Sequence, residues 1–284
     1  MLERMVLGGG DAEAHVHPHG AHVTHYQRRG ERPLLFLSAR SLFEPGKAIR
    51  GGVPVIFPWF GARAGHPDSP SHGFARTAAW RVESPPRVEA GAATTTLRLD
   101  ADAATRALWP HDFVCRHRVT AGAALELALE VTNPSSEAWT FEAALHTYLA
   151  VGDAATASLA GLDGATFIDK MDGLARKTLP GGPWRLAGET DRVFVGTRAT
   201  VVVDDPAWRR RLVVDKHGSA TTIVWNPWTA GAARLADLAD DEWRAMLCVE
   251  TANAADDAVT LPPGGRHEMR VILRAEAAAA PRVR

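Results

Sequence analysis

CRHRVTAGAALELALEVTN (115–133) decides the fold. Leu125, Leu127, Leu129 and Val131 recur at every second position, the period of a strand buried on one face. The run from Cys115 to Thr120 alternates in the same way, and Ala121-Gly122 supplies a turn between the two. The stretch therefore reads as a β-hairpin with its leucines inward. Working outward, TTTLRLDA (94–101) reads as a strand before it, and WTFEAALHTYLAVGD (139–153) as a strand after the Asn133-Pro134-Ser135-Ser136 turn. DGATFIDKMDG (163–173), TDRVFVG (190–196), ATVVVDD (199–205), RRLVVDKHG (210–218), ATTIVWNPW (220–228), AMLCVETANA (245–254) and HEMRVILRA (267–275) continue the pattern, with Gly, Asp or Pro between them. Upstream, LLFLSARSLF (34–43) reads as a buried apolar strand running into a loop, and Trp80–Glu83 opens a strand that Pro85-Pro86 turns. Helical spacing is confined to one short turn in ATRALWP (104–110) and to RLADLADDEWR (234–244). Many short strands at near-regular spacing with few short helices predict an all-β fold, a large antiparallel sandwich or barrel. It reads as one domain over 1–284, with 275–284 expected as a frayed tail.

Composition narrows the function. The 284 residues are 46% hydrophobic and 23% charged, with a formal net charge of −1. No global field recruits nucleic acid or an anionic membrane, so any recognition of an anion has to be local. No run of 18 apolar residues occurs, and the cytoplasm is the expected location. Cys115 and Cys248 both lie in apolar strand-like runs and are expected as buried reduced thiols. Five histidines fall between His15 and His25; with no nearby cysteine or carboxylate to complete a tetrahedral set, they are expected as surface residues, not as a metal site.

The local anion site is expected in RGGVPVIFPWFGARAGHPDSPSHGFARTAAW (50–80). Arg50 and Arg76 each stand near glycine, and a guanidinium fork matches phosphate or carboxylate oxygens. Phe57, Trp59 and Phe60 offer faces for the apolar side of a sugar ring, which together suggests a small anionic polyol. The same pattern would also arise from strand, surface loop and strand with ordinary solvent-facing arginines. Two polar residues in apolar strands stand out as well, His146 in AALHTYLAV and Glu250 in MLCVETAN. Burying either unpaired is costly, so each is a structural residue with a partner or a working acid or base. Asp191, and Asp169 with Lys170, sit at strand edges where exposed charge pairs are ordinary. Trp225 and Asn226 in WNPW form an aromatic-flanked amide at a turn.

In sequence order, GAHVT (20–24), LFLSARSLFEPGKAIRGGVPVIFPWFG (35–61), SHGFARTAAW (71–80), LHTYLAVGD (145–153), GLDGATFIDK (161–170), GETDRVF (188–194), VWNPW (224–228) and CVETANA (248–254) resemble the aldose 1-epimerase superfamily. The resemblance is to its hexose-6-phosphate mutarotase (glucose-6-phosphate 1-epimerase) branch and covers nearly the whole chain. It implies a galactose mutarotase-like β-sandwich with an open groove, interconverting the α and β anomers of a hexose 6-phosphate without a cofactor or metal. By motif, His146 matches the general acid toward the ring oxygen and Glu250 the base on the anomeric hydroxyl. Arg50 and Arg76 match phosphate-holding arginines, and His72 and Asp191 match sugar-binding positions; Trp225 and Asn226 are expected beside them. The implied partner is a small sugar phosphate, on a monomer or weak dimer. Ser71 stands where the family usually has glutamine, and TAGAARLADL replaces a charged run after WNPW, so Arg234 or Arg63 is expected to stand in for a phosphate-binding lysine. Three alternatives remain: a mutarotase of unphosphorylated sugars, a non-catalytic sugar-phosphate-binding module, and a glycosidase, against which no matched carboxylate pair is found.

Overall fold

The hairpin forms as Val114–Ala121 and Leu125–Thr132, in register from Val114↔Thr132 to Ala121↔Leu125, in a computed structural model that describes residues 2–278. Leu125, Leu127, Leu129 and Val131 are all essentially inaccessible to solvent. The hairpin lies within an antiparallel eight-stranded sheet, ordered Ser158–Ala160, Val201–Asp205, Arg210–His217, Arg266–Ala277, Leu125–Thr132, Val114–Ala121, Ala92–Asp100 and Arg81–Glu89. Its outward positions carry ion pairs, such as Arg98–Glu83 at 3.2 Å and Arg270–Glu126 at 3.3 Å. Pairs this exposed contribute little, so the sheet is held by its inner face.

That inner face packs on a second antiparallel sheet, ordered Ala175–Thr178, Thr166–Asp169, Thr190–Val195, Thr221–Asn226, Met246–Asn253, Ala143–Leu145 and Val55–Ile56. Tyr148–Ala150 pairs with the same central strand, Met246–Asn253. Leu127 and Val131 from the first sheet and Phe194, Val224 and Val249 from the second share one continuous core. A small three-stranded sheet, Met5–Gly9, Ala12–His17 and His22–Arg28, adds Leu7, Val16 and Val23 to it. The architecture is the expected all-β sandwich, with α-helix limited to Ala103–Leu108 and Trp228–Ala232 among the described residues.

Five local expectations are corrected. Residues 34–43 form no strand; Leu35 and Leu37 make isolated bridges to Leu149 and Gly51, and Phe36 N–H donates to the Tyr148 carbonyl. Pro85-Pro86 does not turn the chain, because Arg81–Glu89 is an edge strand with bulged register, where proline lacks no needed ladder bond. The 139–153 strand is three pieces, broken at Glu142 and at His146-Thr147. Residues 234–244 form no helix: Trp228–Ala232 precedes them and a 3₁₀ turn, Glu242–Ala245, ends them. Residues 275–277, expected within a frayed tail, stay paired through Ala277↔Arg210; 279–284 lie outside the described residues. Cys115 and Cys248 are buried free thiols, as expected.

Candidate active site

Sheet register creates the site. Leu145 pairs with Thr251 and Tyr148 with Cys248, so the two residues between them carry the register on and set His146 opposite Glu250. Directly opposed residues share a face, with Cβ atoms about 5 Å apart. The side chains meet there, His146 Nε2 lying 3.4 Å from Glu250 Oε1. Asp191 opposes Trp225, which opposes Cys248, and Lys170 N–H donates to the Asp191 carbonyl. The same alternation thus presents Lys170, Asp191, Trp225, Glu250, His146 and Tyr148 on one face of the second sheet, away from the main core.

Two small apolar clusters flank that face, one around Phe36, Tyr148, Trp243 and Cys248, the other around Ile56, Val193, Ile223 and Ala252. Between them lies a cleft of about 240 Å³ lined by Arg50, Phe60, Ser71, His72, Arg76, His146, Lys170, Asp191, Trp225 and Glu250. Seven of the eight residues expected at the site are therefore brought together. The exception is Asn226. Trp225 and Asn226 are consecutive in a strand, and alternation turns them to opposite sides. The Asn226 amide is buried, donating to the carbonyls of Trp243 and Met246 at 2.8 Å each and accepting from Trp228 N–H at 2.9 Å; it braces the turn and does not line the cleft.

The loops over the sheet are fixed by close packing. His72 and Gly73 both have positive φ, 66° and 69°, and a Cβ on Gly73 would come within 2.0 Å of the Phe57 carbonyl oxygen. Glycine alone fits, and the strained turn at His72 places its ring on Phe60, centroids 4.8 Å apart. Gly61 N–H donates to His72 Nδ1 at 3.3 Å, which leaves Nε2 as the proton-bearing nitrogen. On the other side, the Arg50 loop is held by histidines that were expected at the surface. His19 and His22 are buried, and their Nε2 atoms donate to the carbonyls of Lys47 and Gly51, each at 2.7 Å. The histidine-rich segment is thus partly a buttress for Arg50.

Arg50 and Arg76 enter the cleft with different partners. Arg50 Nε donates to Asp237 at 3.1 Å and Nη1 to the Tyr148 hydroxyl at 3.0 Å. Arg76 Nη2 meets a backbone carbonyl, that of Ser71, at 2.7 Å, and has no carboxylate partner among the described residues. Neither proposed stand-in for the lysine reaches the cleft. Arg63 donates to the Leu108 carbonyl and lies over Trp59, and Arg234 pairs with Glu189 on the exterior. Lys170 lines the cleft instead, 2.7 Å from Asp191, while Asp169 turns away to Lys177 at 2.9 Å. Lys170, Tyr148 and Asp237 carried no assigned role in the sequence; strand parity with Asp191 and His146 would have found the first two.

Electrostatics divide the pair. Burial, reinforced by Asp191, pushes the Glu250 carboxyl well above the usual carboxylate range, against the pull of Lys170 and Arg76. Burial, then His72, Arg76 and Arg50, holds His146 well below the usual histidine range. The 3.4 Å contact has ion-pair geometry, but these opposed shifts favour neutral imidazole and neutral carboxyl in the free protein. The same two groups hold one proton either way, which is the stoichiometry an acid–base pair requires. His72 is lowered to about 3 by burial and by Arg76, Lys170 and Arg50, and stays neutral.

The comparisons agree with this architecture. The family model for aldose 1-epimerases matches residues 3–274. The chain is 35% identical over 255 residues to a candidate glucose-6-phosphate 1-epimerase of Escherichia coli K12, covering 90% of this chain and 84% of that protein. It is 33% identical over 283 residues to a similarly named protein of Cenchrus ciliaris, covering 96% and 85%. The crystal structure of a candidate mutarotase from Salmonella typhimurium superposes with a TM-score of 0.90 at 31% identity, over 97% of this chain and 91% of that one. A sandwich with His146 opposite Glu250 on its open face, matched along almost its whole length, this chain belongs to the aldose 1-epimerase family.

Proposed function

We propose that this protein is a hexose-6-phosphate 1-epimerase that interconverts the α and β anomers of a sugar such as glucose 6-phosphate. The observation that carries the reading is the His146–Glu250 pair beside two arginines, in a cleft sized for one small polar ligand. The names of the relatives point the same way.

In the productive state Glu250 is the carboxylate and His146 the imidazolium. Glu250 takes the proton from the anomeric hydroxyl, the bond from C1 to the ring oxygen breaks, and His146 protonates that oxygen. The open-chain aldehyde rotates about C1–C2. Closure on the other face returns the ring-hydroxyl proton to His146 and the Glu250 proton to the new anomeric oxygen. Each group ends as it began, so no cofactor balance is needed. A phosphate dianion beside Arg50 and Arg76 offsets two of the cations that hold His146 down, favouring transfer of the shared proton to the imidazole when substrate binds. His72 Nε2–H and the Asp191 carboxylate are positioned to bond sugar hydroxyls, and Trp225 and Phe60 to pack on the ring. We place the protein in the cytoplasm, a compartment that keeps the Cys115 and Cys248 thiols reduced.

Exchange NMR on the anomeric protons of glucose 6-phosphate and of glucose tests this. Enhanced exchange of the phosphate is expected, with Arg76→Gln raising KM at least about tenfold through loss of a charge-assisted contact. Enhancement of glucose alone, insensitive to Arg76, would overturn the phosphate reading; no exchange with either would overturn the catalytic one.

A further inference from the structure

The His146 Nδ1 is buried and has no hydrogen-bond partner among the described residues. A proton-transferring histidine is commonly oriented through that nitrogen. Here rings do the orienting. Tyr148 lies flat against the imidazole, centroids 4.8 Å apart and planes 11° from parallel. His72 and Trp225 meet it edge-on at 5.8 and 6.1 Å. Tyr148 therefore sets the plane in which Nε2 points at Glu250.

Tyr148 is itself fixed at both ends. Its backbone pairs with Cys248 and its N–H donates to the Gly52 carbonyl at 2.9 Å. Its hydroxyl accepts from Arg50 Nη1, and Arg50 is tied by Nε to Asp237. Burial raises the phenol's pKa, so it stays neutral and fills a mechanical place, not that of a proton donor. Asp237 comes from the turn region where a helix was expected, and Arg50 from the loop buttressed by His19 and His22. The carboxylate neutralises Arg50 and leaves Arg76 as the cleft cation without a carboxylate partner among the described residues.

We propose that Tyr148 is a positioning residue for His146, braced through its hydroxyl by Arg50 and Asp237, so that Arg50 serves the acid step before it serves the anion. The inference rests on the acid role assigned to His146. It separates two arginines that the sequence presents as equivalent: Arg76 receives the anion's charge, and Arg50 transmits order to the imidazole.

The test compares Tyr148→Phe, which removes the hydroxyl alone, with Arg50→Gln and Arg76→Gln. In the anomer-exchange assay, Tyr148→Phe is expected to lower kcat about tenfold with KM within about threefold, the pattern of a misoriented group. Arg50→Gln should show the same kcat loss, and the double variant should be no worse than the single ones, because one brace is broken only once. Arg76→Gln should move KM with little change in kcat. An unchanged kcat in Tyr148→Phe, or an Arg50→Gln effect on KM alone, would overturn the proposal. A second readout is independent of turnover: the ring ¹³C and ¹⁵N signals of His146, assigned by their loss in His146→Gln. One sharp set is expected in the wild type, and a broadened or doubled set in Tyr148→Phe at an unchanged melting temperature. An unaltered set would overturn the brace. Absence of exchange in the wild type would instead overturn the functional reading, with the ring signals still deciding the positioning role.

Discussion

The two eight-stranded sheets treat polarity in opposite ways. In the sheet of the 115–133 hairpin, strands such as Arg210–His217 and Arg266–Ala277 run for 8 and 12 residues, and most of their charges face water. In the cleft sheet, Ala143–Leu145 and Tyr148–Ala150 are three residues each, and all eight positions of Met246–Asn253 are buried, Glu250 among them. The first sheet is a frame with few buried polar groups, chiefly His117, Asp205, Arg210 and Lys216, none of them in the cleft. The second holds desolvated polar groups, Glu250 Oε2 and His146 Nδ1, without hydrogen-bond partners among the described residues. A buried unpaired polar atom costs about 1–3 kcal/mol, so the frame's apolar face supports a site that is unfavourable on its own. Stability and chemistry are thereby assigned to different sheets, and substitutions should separate them.

The largest effect is expected on the cleft side and in activity alone. Glu250→Gln keeps the shape and removes the base, so kcat should fall about 10²–10⁴-fold. Folding stability at neutral pH, read from a denaturant midpoint, should be unchanged or raised, because an amide is cheaper to bury than an ionisable carboxyl. Retained exchange at the wild-type rate would break the division. The converse belongs to the frame. Leu127→Ala, at a fully buried position of the hairpin, should cost about 2–5 kcal/mol by denaturant unfolding, while kcat per folded molecule stays within about twofold. A fall in kcat beyond that would show that the frame tunes the site as well as holding it.

The same contrast explains what could be read from the sequence. The frame was legible because its strands alternate: Leu125, Leu127, Leu129 and Val131 are interleaved with Glu126, Glu130 and Thr132, and alternation fixes fold and register together. Proline in Arg81–Glu89 misled only because an edge strand tolerates it. The cleft sheet gives little alternation, and its strands break where side chains are needed, at His146-Thr147. Glu250 and His146 were nevertheless visible as polar residues inside apolar runs. Lys170 was not, because its partner is not the adjacent Asp169 but Asp191, 21 positions on and opposite it across the sheet. Asp237 was hidden by a helical spacing at 234–244 that a long-range bond to Arg50 overrides. Asn226 was over-read because its neighbour Trp225 faces the cleft, and strand parity forbids both.

The smallest effect sharpens the comparison through pH. His117 lies on the inner face of the frame, fully buried, with Nδ1–H donating to the Ala21 carbonyl at 3.0 Å, and burial lowers its pKa to about 4. The unfolded chain takes up this proton near the ordinary histidine value of about 6.5, before the folded one does. Stability from His117 is therefore complete above that pH and is lost as pH falls toward 4. At about 1.4 kcal/mol per pH unit, the loss by pH 5 is about 2 kcal/mol. Glu250 has the opposite sign: its raised pKa makes the folded chain keep a proton that the unfolded chain releases, so its contribution is present at low pH and lost as pH rises. Denaturant midpoints between pH 5 and 8 should show both. His117→Asn, which keeps a donor toward Ala21, should flatten the acid side, and Glu250→Gln the alkaline side. If His117→Asn left the acid slope intact, the loss of stability there would belong to other histidines, such as buried His22 and half-buried His72, both lowered to about 3. If Glu250→Gln flattened the acid side instead, its carboxyl would be ionised in the free protein, and the shared proton would already sit on His146 before any substrate arrives.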